Sequence, residues 1–186
     1  MVSIFMDVAG RFGVNTKEAE RFFKFAVVGG IGFVVDFGIF NLLLGPLEQL
    51  LASGAELHRM LVMMGLAPEQ VIRLSSTAAG VISFIAAIIS NFLWNRYWTY
   101  PDSRSRSLRR QFAMFVVVSV AGILIRAPII HFTHQPFSRL VRNVALLAPY
   151  AKRAGDNLAL ILAVIIVMFW NFFINRYWTY GDVDTF

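Results

Sequence analysis

Asn91–Tyr100 reads NFLWNRYWTY, and Asn171–Tyr180 reads NFFINRYWTY. Eight of the ten positions are identical, and the offset is 80 residues. Each copy closes a long apolar run, so a polar, aromatic, Arg-bearing end to an apolar segment is written twice. Tyr and Trp favour the membrane–water interface, and Lys/Arg favour the cytoplasmic end of a spanning helix. The repeated phrase therefore reads as the boundary of two membrane crossings.

Composition agrees. The 186 residues are 58% hydrophobic and 15% charged, with mean hydropathy +0.64. A soluble domain carries about 25% charged residues, and here the charges stand in patches between apolar runs. There is no cysteine, which excludes disulfides. The net charge of +6 fits cytoplasmic anchoring and contact with anionic lipid rather than nucleic acid. Asp7, Glu18 and Glu20 interrupt the N-terminal stretch, which does not read as a signal peptide. Residues 4–12 read as a short interfacial turn, and Thr16 before KEAERFF reads as a helix N-cap.

A spanning helix needs about 20 predominantly apolar residues. Four segments qualify, at 25–44, 74–94, 112–132 and 158–178. The expected fold is all-α and integral to the membrane. Residues 45–73 and 133–157 are expected to be amphipathic segments on the membrane surface. Ten Lys/Arg fall on the face holding both termini and the second connection, including Arg11, Arg104, Arg106, Arg109 and Arg110; six fall on the other face. This bias places both termini in the cytoplasm.

The repeat exceeds ten residues. At offset 80, Ser75, Ala79, Ser83, Ala87, Asn91 and Asn95 match Gly155, Ala159, Ala163, Val167, Asn171 and Asn175. Small residues every four positions form a ridge that lets helices approach closely in lipid. At offset 90, Phe22, Phe25, Val28 and Gly32 match Phe112, Phe115, Val118 and Gly122. Repeats of about 21–100 and 109–180 follow, expected to be related by a pseudo-twofold axis along the membrane normal. GGIG at Gly29–Gly32 is expected to permit close helix packing.

The same alignment sets Asp36 against Arg126, the two ionised residues well inside the spans. Each lies 11 residues past its reference phenylalanine, about 16 Å along the helix. Intramembrane charges are costly and commonly line a substrate path or pair with one another. Asn91, Asn95 and Arg96 in one copy, and Asn171, Asn175 and Arg176 in the other, are candidates for lipid phosphate or for interhelical hydrogen bonds. Pro128 is expected to free a carbonyl near Arg126. His131 and His134 have no third ligand in view, so no metal is assigned. The DVD of Asp182–Asp184 resembles a nucleotide-sugar transferase motif but lacks a domain to host a nucleotide. No acid, base and nucleophile converge, so no enzyme is expected, and no cofactor is called for.

Arg21–Leu43, RFFKFAVVGGIGFVVDFGIFNLL, together with the NRYWTY phrase, resembles the GtrA-like family of small membrane proteins. The resemblance covers all four spans as one domain over 1–186. It implies a four-helix bacterial inner-membrane protein that moves a polyprenyl-phosphate-linked sugar for cell-surface polysaccharide synthesis, often beside a glycosyltransferase. It places Asp36, Asn91, Asn95 and Arg96 at the family's motif positions. Four helices enclose little space, so a homodimer is expected. Two other readings remain: a non-transporting scaffold that docks a glycosyltransferase through the basic 104–110 loop, and a small multidrug-type exporter that depends on Asp36.

Overall fold

In the computed structural model, residues 15–103 and 105–182 are described. The expected interfacial turn at 4–12, with Arg11, and the positions Arg104 and Asp184 lie outside them. Every extended element among the described residues is helical. The backbone partitions into two units, Met1–Thr99 and Tyr100–Phe186.

The first unit is a helical hairpin. Helix α1 (Thr16–Leu50) is followed by a short helix α2 (Glu56–Met63) and by α3 (Pro68–Trp94), which ends in a π-helical turn over Asn95–Thr99. Helix α1 packs along α3. The N-cap of α1 is Asn15 rather than Thr16: its side-chain oxygen accepts from the Lys17 amide at 3.0 Å. Both residue types cap well, and Asn15 is the one with extended backbone. His58 is buried, and its Nδ1–H donates to the Leu51 carbonyl at 3.0 Å, folding α2 back onto the end of α1. Helix α2 ends in a Schellman motif. The Gly65 amide donates to the Val62 carbonyl and the Leu66 amide to that of Leu61. Gly65 sits at φ 100°, where a side chain would be strained. Pro68 opens α3 at a position that needs no N–H, and Gln70 Oε1 accepts from the Ala67 amide.

The second unit is built the same way. Helix α4 (Leu108–Arg142) is followed by a 3₁₀ turn (Ala145–Tyr150) and by α5 (Ala151–Ile174), which again ends in a π-helical turn, Asn175–Thr179. Helix α4 packs along α5. Trp170 Nε1 donates across the pair to the Val118 carbonyl at 3.3 Å.

The four long helices are the four expected crossings, and all are long and apolar enough to span a membrane. The chain is a multi-pass membrane protein. Hydropathy misplaced the helix ends. Helices α1 and α4 have 35 residues each, about 52 Å at 1.5 Å per residue, against a hydrocarbon core of about 30 Å. Residues 45–50 and 68–73 therefore continue α1 and begin α3, and residues 133–142 and 151–157 do the same for α4 and α5. The expected surface segments shrink to α2 and the 3₁₀ turn. The reason is physical: charge ends a hydropathy window, but it does not end a ladder of i→i−4 hydrogen bonds. Pro46, Pro128 and Pro136 all lie inside continuous helices.

The small-residue row lies at the α1–α3 crossing. Ser75, Ala79, Ser83 and Ala87 are all buried, and Val71 extends the row by one turn. In the second unit Ala151, Gly155, Ala159 and Ala163 are buried in the same way. On the partner helices Phe25, Val28 and Gly32 are buried in one unit, and Phe115, Val118 and Gly122 in the other. Side chains pointing elsewhere, such as Val81, Ile85, Ile89, Leu124 and Ile161, are exposed, as suits a surface solvated by lipid.

Candidate functional site

Each hairpin closes on the same contact. In the first, the Asn91 amide lies against Gly32, so tightly that a Cβ at position 32 would overlap it. In the second, a Cβ at Gly122 would stand 3.0 Å from Asn171 Nδ2 and 3.1 Å from Val167 Cγ1. Asn91 and Asn171 are thus packing residues of the crossing. Glycine on one helix makes the room that the amide of the other fills. Of the GGIG stretch, only Gly32 serves this purpose. Gly29 and Gly30 are exposed, with nothing within 4 Å of a built Cβ.

After the asparagine the helix widens. The Tyr180 amide donates to the Asn175 carbonyl, five residues back, at 2.8 Å. A π turn rotates the following side chains relative to an α-helix, and such turns recur at functional sites. Here it brings Asn95, Arg96 and Thr99 inward in the first unit, with exposures of 1%, 8% and 2%. It does the same for Asn175, Arg176 and Thr179 in the second, at 0%, 4% and 0%. The arginines that are candidates for lipid phosphate are buried in both copies. Tyr97, Tyr177 and Trp178 stay exposed and supply the interfacial belt.

The two turns have the same sequence but different hydrogen bonding. In the second, the Asn175 amide donates to the Asn171 carbonyl at 2.8 Å, and the Thr179 hydroxyl donates to Asn175 Oδ1 at 2.8 Å. Arg176 lies 5.5 Å from the Tyr177 ring. In the first, Asn91 Oδ1, Asn95 Oδ1, Thr99 Oγ1 and both Nε and Nη1 of Arg96 are buried without a hydrogen-bond partner among the described residues. Buried polar groups are nearly always paired, and each orphan costs about 1–3 kcal/mol, more when charged. Asn171 Oδ1 is likewise unpartnered, so the four atoms of Asn95, Arg96 and Thr99 are what distinguish the first turn.

The intramembrane charges sit in separate units. Asp36 is half-buried on α1, and Ser83 of α3 donates to its Oδ1 at 2.5 Å while also lying 3.1 Å from the Gly80 carbonyl. Arg126 is exposed on α4. Neither makes an ion pair within its own hairpin among the described residues. The two histidines stand apart in role: His134 Nδ1 lies 3.6 Å from Asp156 Oδ1 on α5, and His131 packs edge-on against Phe132.

The residue that sequence reasoning undervalued is Asp182. Its carboxylate accepts from the hydroxyls of Ser103 and Ser105 and from the Ser105 amide. Ser103 in turn takes both hydrogen bonds of the buried Gln111 amide, at 3.0 and 2.8 Å. Burial pushes the Asp182 carboxyl up, but the serine and backbone hydrogen bonds outweigh it and hold it below the usual aspartate value. Arg106, expected to be part of a docking surface, donates to the Trp178 carbonyl at the end of the second π turn, where a cation is favoured. Tyr100 and Tyr180, the last residues of the two phrases, stack with centroids 4.5 Å apart. The only hint in sequence was an Asp two residues past each phrase, at Asp102 and Asp182.

The sequence profile of the GtrA/DPMS transmembrane domain matches residues 24–180. The chain belongs to the GtrA/DPMS transmembrane-domain family. The matched stretch runs from Lys24 on α1 to the Tyr180 that stacks on Tyr100, so this family domain comprises all four crossings and both π turns. The chain is also similar to the membrane protein YngA of Bacillus subtilis (strain 168), at 24% identity over 174 residues, covering 93% of this chain and 88% of that one.

Proposed function

We propose that this GtrA/DPMS protein translocates a polyprenyl-phosphate-linked sugar across the bacterial cytoplasmic membrane, non-catalytically, and that its phosphate is read by Arg96. The observation that carries the reading is the set of buried, unpartnered groups at the first π turn. Arg96 offers donors suited to phosphate oxygens, since guanidinium matches that geometry. Asn95 offers an acceptor suited to hydroxyls or to water around a sugar. The polyprenyl tail would stay in lipid beside the exposed apolar faces. No phosphate-cradling glycine loop occurs in the sequence, so transport would draw on a gradient or on consumption at the far side. A homodimer and a neighbouring glycosyltransferase belong to this proposal as partners.

The test is transport of a short-chain polyprenyl-phosphate hexose into proteoliposomes. A charge-assisted contact of about 1.5–3 kcal/mol predicts that Arg96→Gln slows transport about tenfold to a hundredfold, with partial recovery in Arg96→Lys. Wild-type transport by Arg96→Gln would remove Arg96 from the path. A variant without transport that still captures a glycosyltransferase would favour the scaffold.

A further inference from the structure

The first hairpin holds a cleft whose lining is not repeated in the second. It lies between α1 and α3, has a volume of about 470 Å³, and is lined by Phe33, Asp36, Phe37, Phe40, Gly80, Ser83 and Phe84. That volume is within the range of about 300–1,000 Å³ usual for organic ligands, well beyond what a proton or bare metal ion needs. On α1 the lining residues fall at i, i+3, i+4 and i+7, which puts one carboxyl among three phenyl rings on a single helix face. Phe33 and Phe37 stack at 6.0 Å. Phe40 reaches over Gly80, whose missing side chain keeps the floor open.

The repeat supplies an internal control. At the offsets that keep the packing residues alike, every lining residue is replaced. Phe33, Asp36, Phe37 and Phe40 correspond to Ile123, Arg126, Ala127 and Ile130, and Gly80, Ser83 and Phe84 to Leu160, Ala163 and Val164. The residues needed to close a hairpin recur, whereas the acid, the hydroxyl, the four rings and the gap at Gly80 do not. A hydrogen bond that merely tied α1 to α3 would need Asp36 and Ser83 alone, and would leave the aromatic lining and the open floor without a purpose.

We infer that this cleft takes an organic cation, an ammonium centre set against the Asp36 carboxylate with its apolar flanks on Phe33, Phe37, Phe40 and Phe84. A carboxylate at membrane depth is favoured only with a counter-charge or in a wet site, and no described residue of its own hairpin forms an ion pair with it. Phenyl faces attract cations, and more strongly when water is excluded. The ring lining provides no hydrogen bonds for a polyhydroxylated guest, and only Asp36 and Ser83 do. The guest therefore carries one cationic centre and C–H-rich faces. Two sources have that chemistry: an amino sugar on a lipid carrier, which rests on the proposed function above, and a free lipophilic cation, which does not.

The experiment is calorimetric titration of the protein in nanodiscs, in a mildly acidic buffer that keeps amines protonated. The probes are octyl 2-amino-2-deoxyglucoside, octyl glucoside and tetraphenylphosphonium. The amino glycoside is expected to bind about tenfold more tightly than its neutral twin, the scale of one desolvated cation contact. Asp36→Asn keeps an acceptor for Ser83 and should erase that preference; Gly80→Leu keeps the charge, fills the cleft as Leu160 does in the repeat, and should abolish binding of all probes. Retained helicity and elution volume identify a variant that still folds. Equal binding of the two glycosides together with no Asp36-dependent binding of tetraphenylphosphonium would overturn the inference. Asp36-dependent binding of tetraphenylphosphonium alone would keep the cation site but overturn the sugar as its source. If the amine preference fails while Arg96→Gln still blocks transport, the cleft inference falls and the translocation reading stands.

Discussion

At the scale of single residues, glycine identity is decided by what stands opposite, not by the helix it belongs to. Gly29, Gly30 and Gly32 share one turn of α1, yet only Gly32 faces Asn91. Gly32→Leu must displace that amide from the crossing and is expected to cost about 1–3 kcal/mol, as overpacking does. Gly29→Ala places a methyl in open space and should be neutral or stabilise by up to about 1 kcal/mol through helix propensity. Thermal unfolding in detergent micelles, followed by circular dichroism, measures both. Equal loss in the two variants would show that the Gly32–Asn91 contact does not hold the hairpin closed. The sequence offered the glycine cluster and the asparagine row but not which glycine met which asparagine. That is a property of helix rotation about its axis, which composition does not record. The small-residue row was legible because a four-residue period is a property of one helix alone. Asp36 was legible as a costly charge, and its stripe of phenylalanines was available in the sequence at helical spacing. Ser83 was visible only as a small residue, because its bond to Asp36 spans 47 positions.

At the scale of elements, the π turn is where identical sequence meets different surroundings. NRYWT folds alike in both copies and buries the same positions, so its intrinsic preferences are the same. The unlike hydrogen bonding of Asn95 and Asn175 must come from residues outside the pentapeptide, and no reading of the pentapeptide could have foretold it. The second turn is held by the Asp182 clamp, which has a pH dependence of definite sign. The Asp182 carboxyl is held below its ordinary value of 3.8 because burial, which raises it, is outweighed by hydrogen bonds from Ser103, Ser105 and backbone amides. A depressed carboxyl stabilises the folded form fully above the unfolded value. That contribution fades as pH falls below 3.8 and through the folded value. Wild type should therefore lose melting temperature more steeply than Asp182→Asn as the pH is lowered from neutral into that window. Above it the variant should be less stable by a constant margin. Parallel melting curves across the whole range would mean that the clamp contributes nothing through its charge.

At the scale of the whole molecule, four crossings, two hairpins and the doubled phrase carry an expectation about sidedness. If each hairpin crosses the membrane twice, Asn15, the 101–107 connection and Asp182 are expected on one side, and the turns near Gly54 and Leu146 on the other. The Lys/Arg bias predicts the cytoplasm for the first of these. Four of the six basic residues on the opposite face lie in the second hairpin, at Arg139, Arg142, Lys152 and Arg153. The bias is therefore weakest in the second hairpin. The absence of cysteine turns this into a clean measurement, because a single introduced thiol is the only reactive one in the chain. Gly54, Asp102 and Leu146 are all exposed. Gly54→Cys and Leu146→Cys should react with an impermeant maleimide added to intact cells. Asp102→Cys should react only after the membrane is opened. Reaction of Asp102→Cys in intact cells with protection of the other two would invert the protein, and with it the side on which Arg96 is proposed to meet a phosphate. Reaction of Gly54→Cys without Leu146→Cys would show that α4 and α5 do not carry the Ala145–Tyr150 turn to the far side of the membrane. That outcome would rule out the parallel pseudo-twofold expected from the repeat.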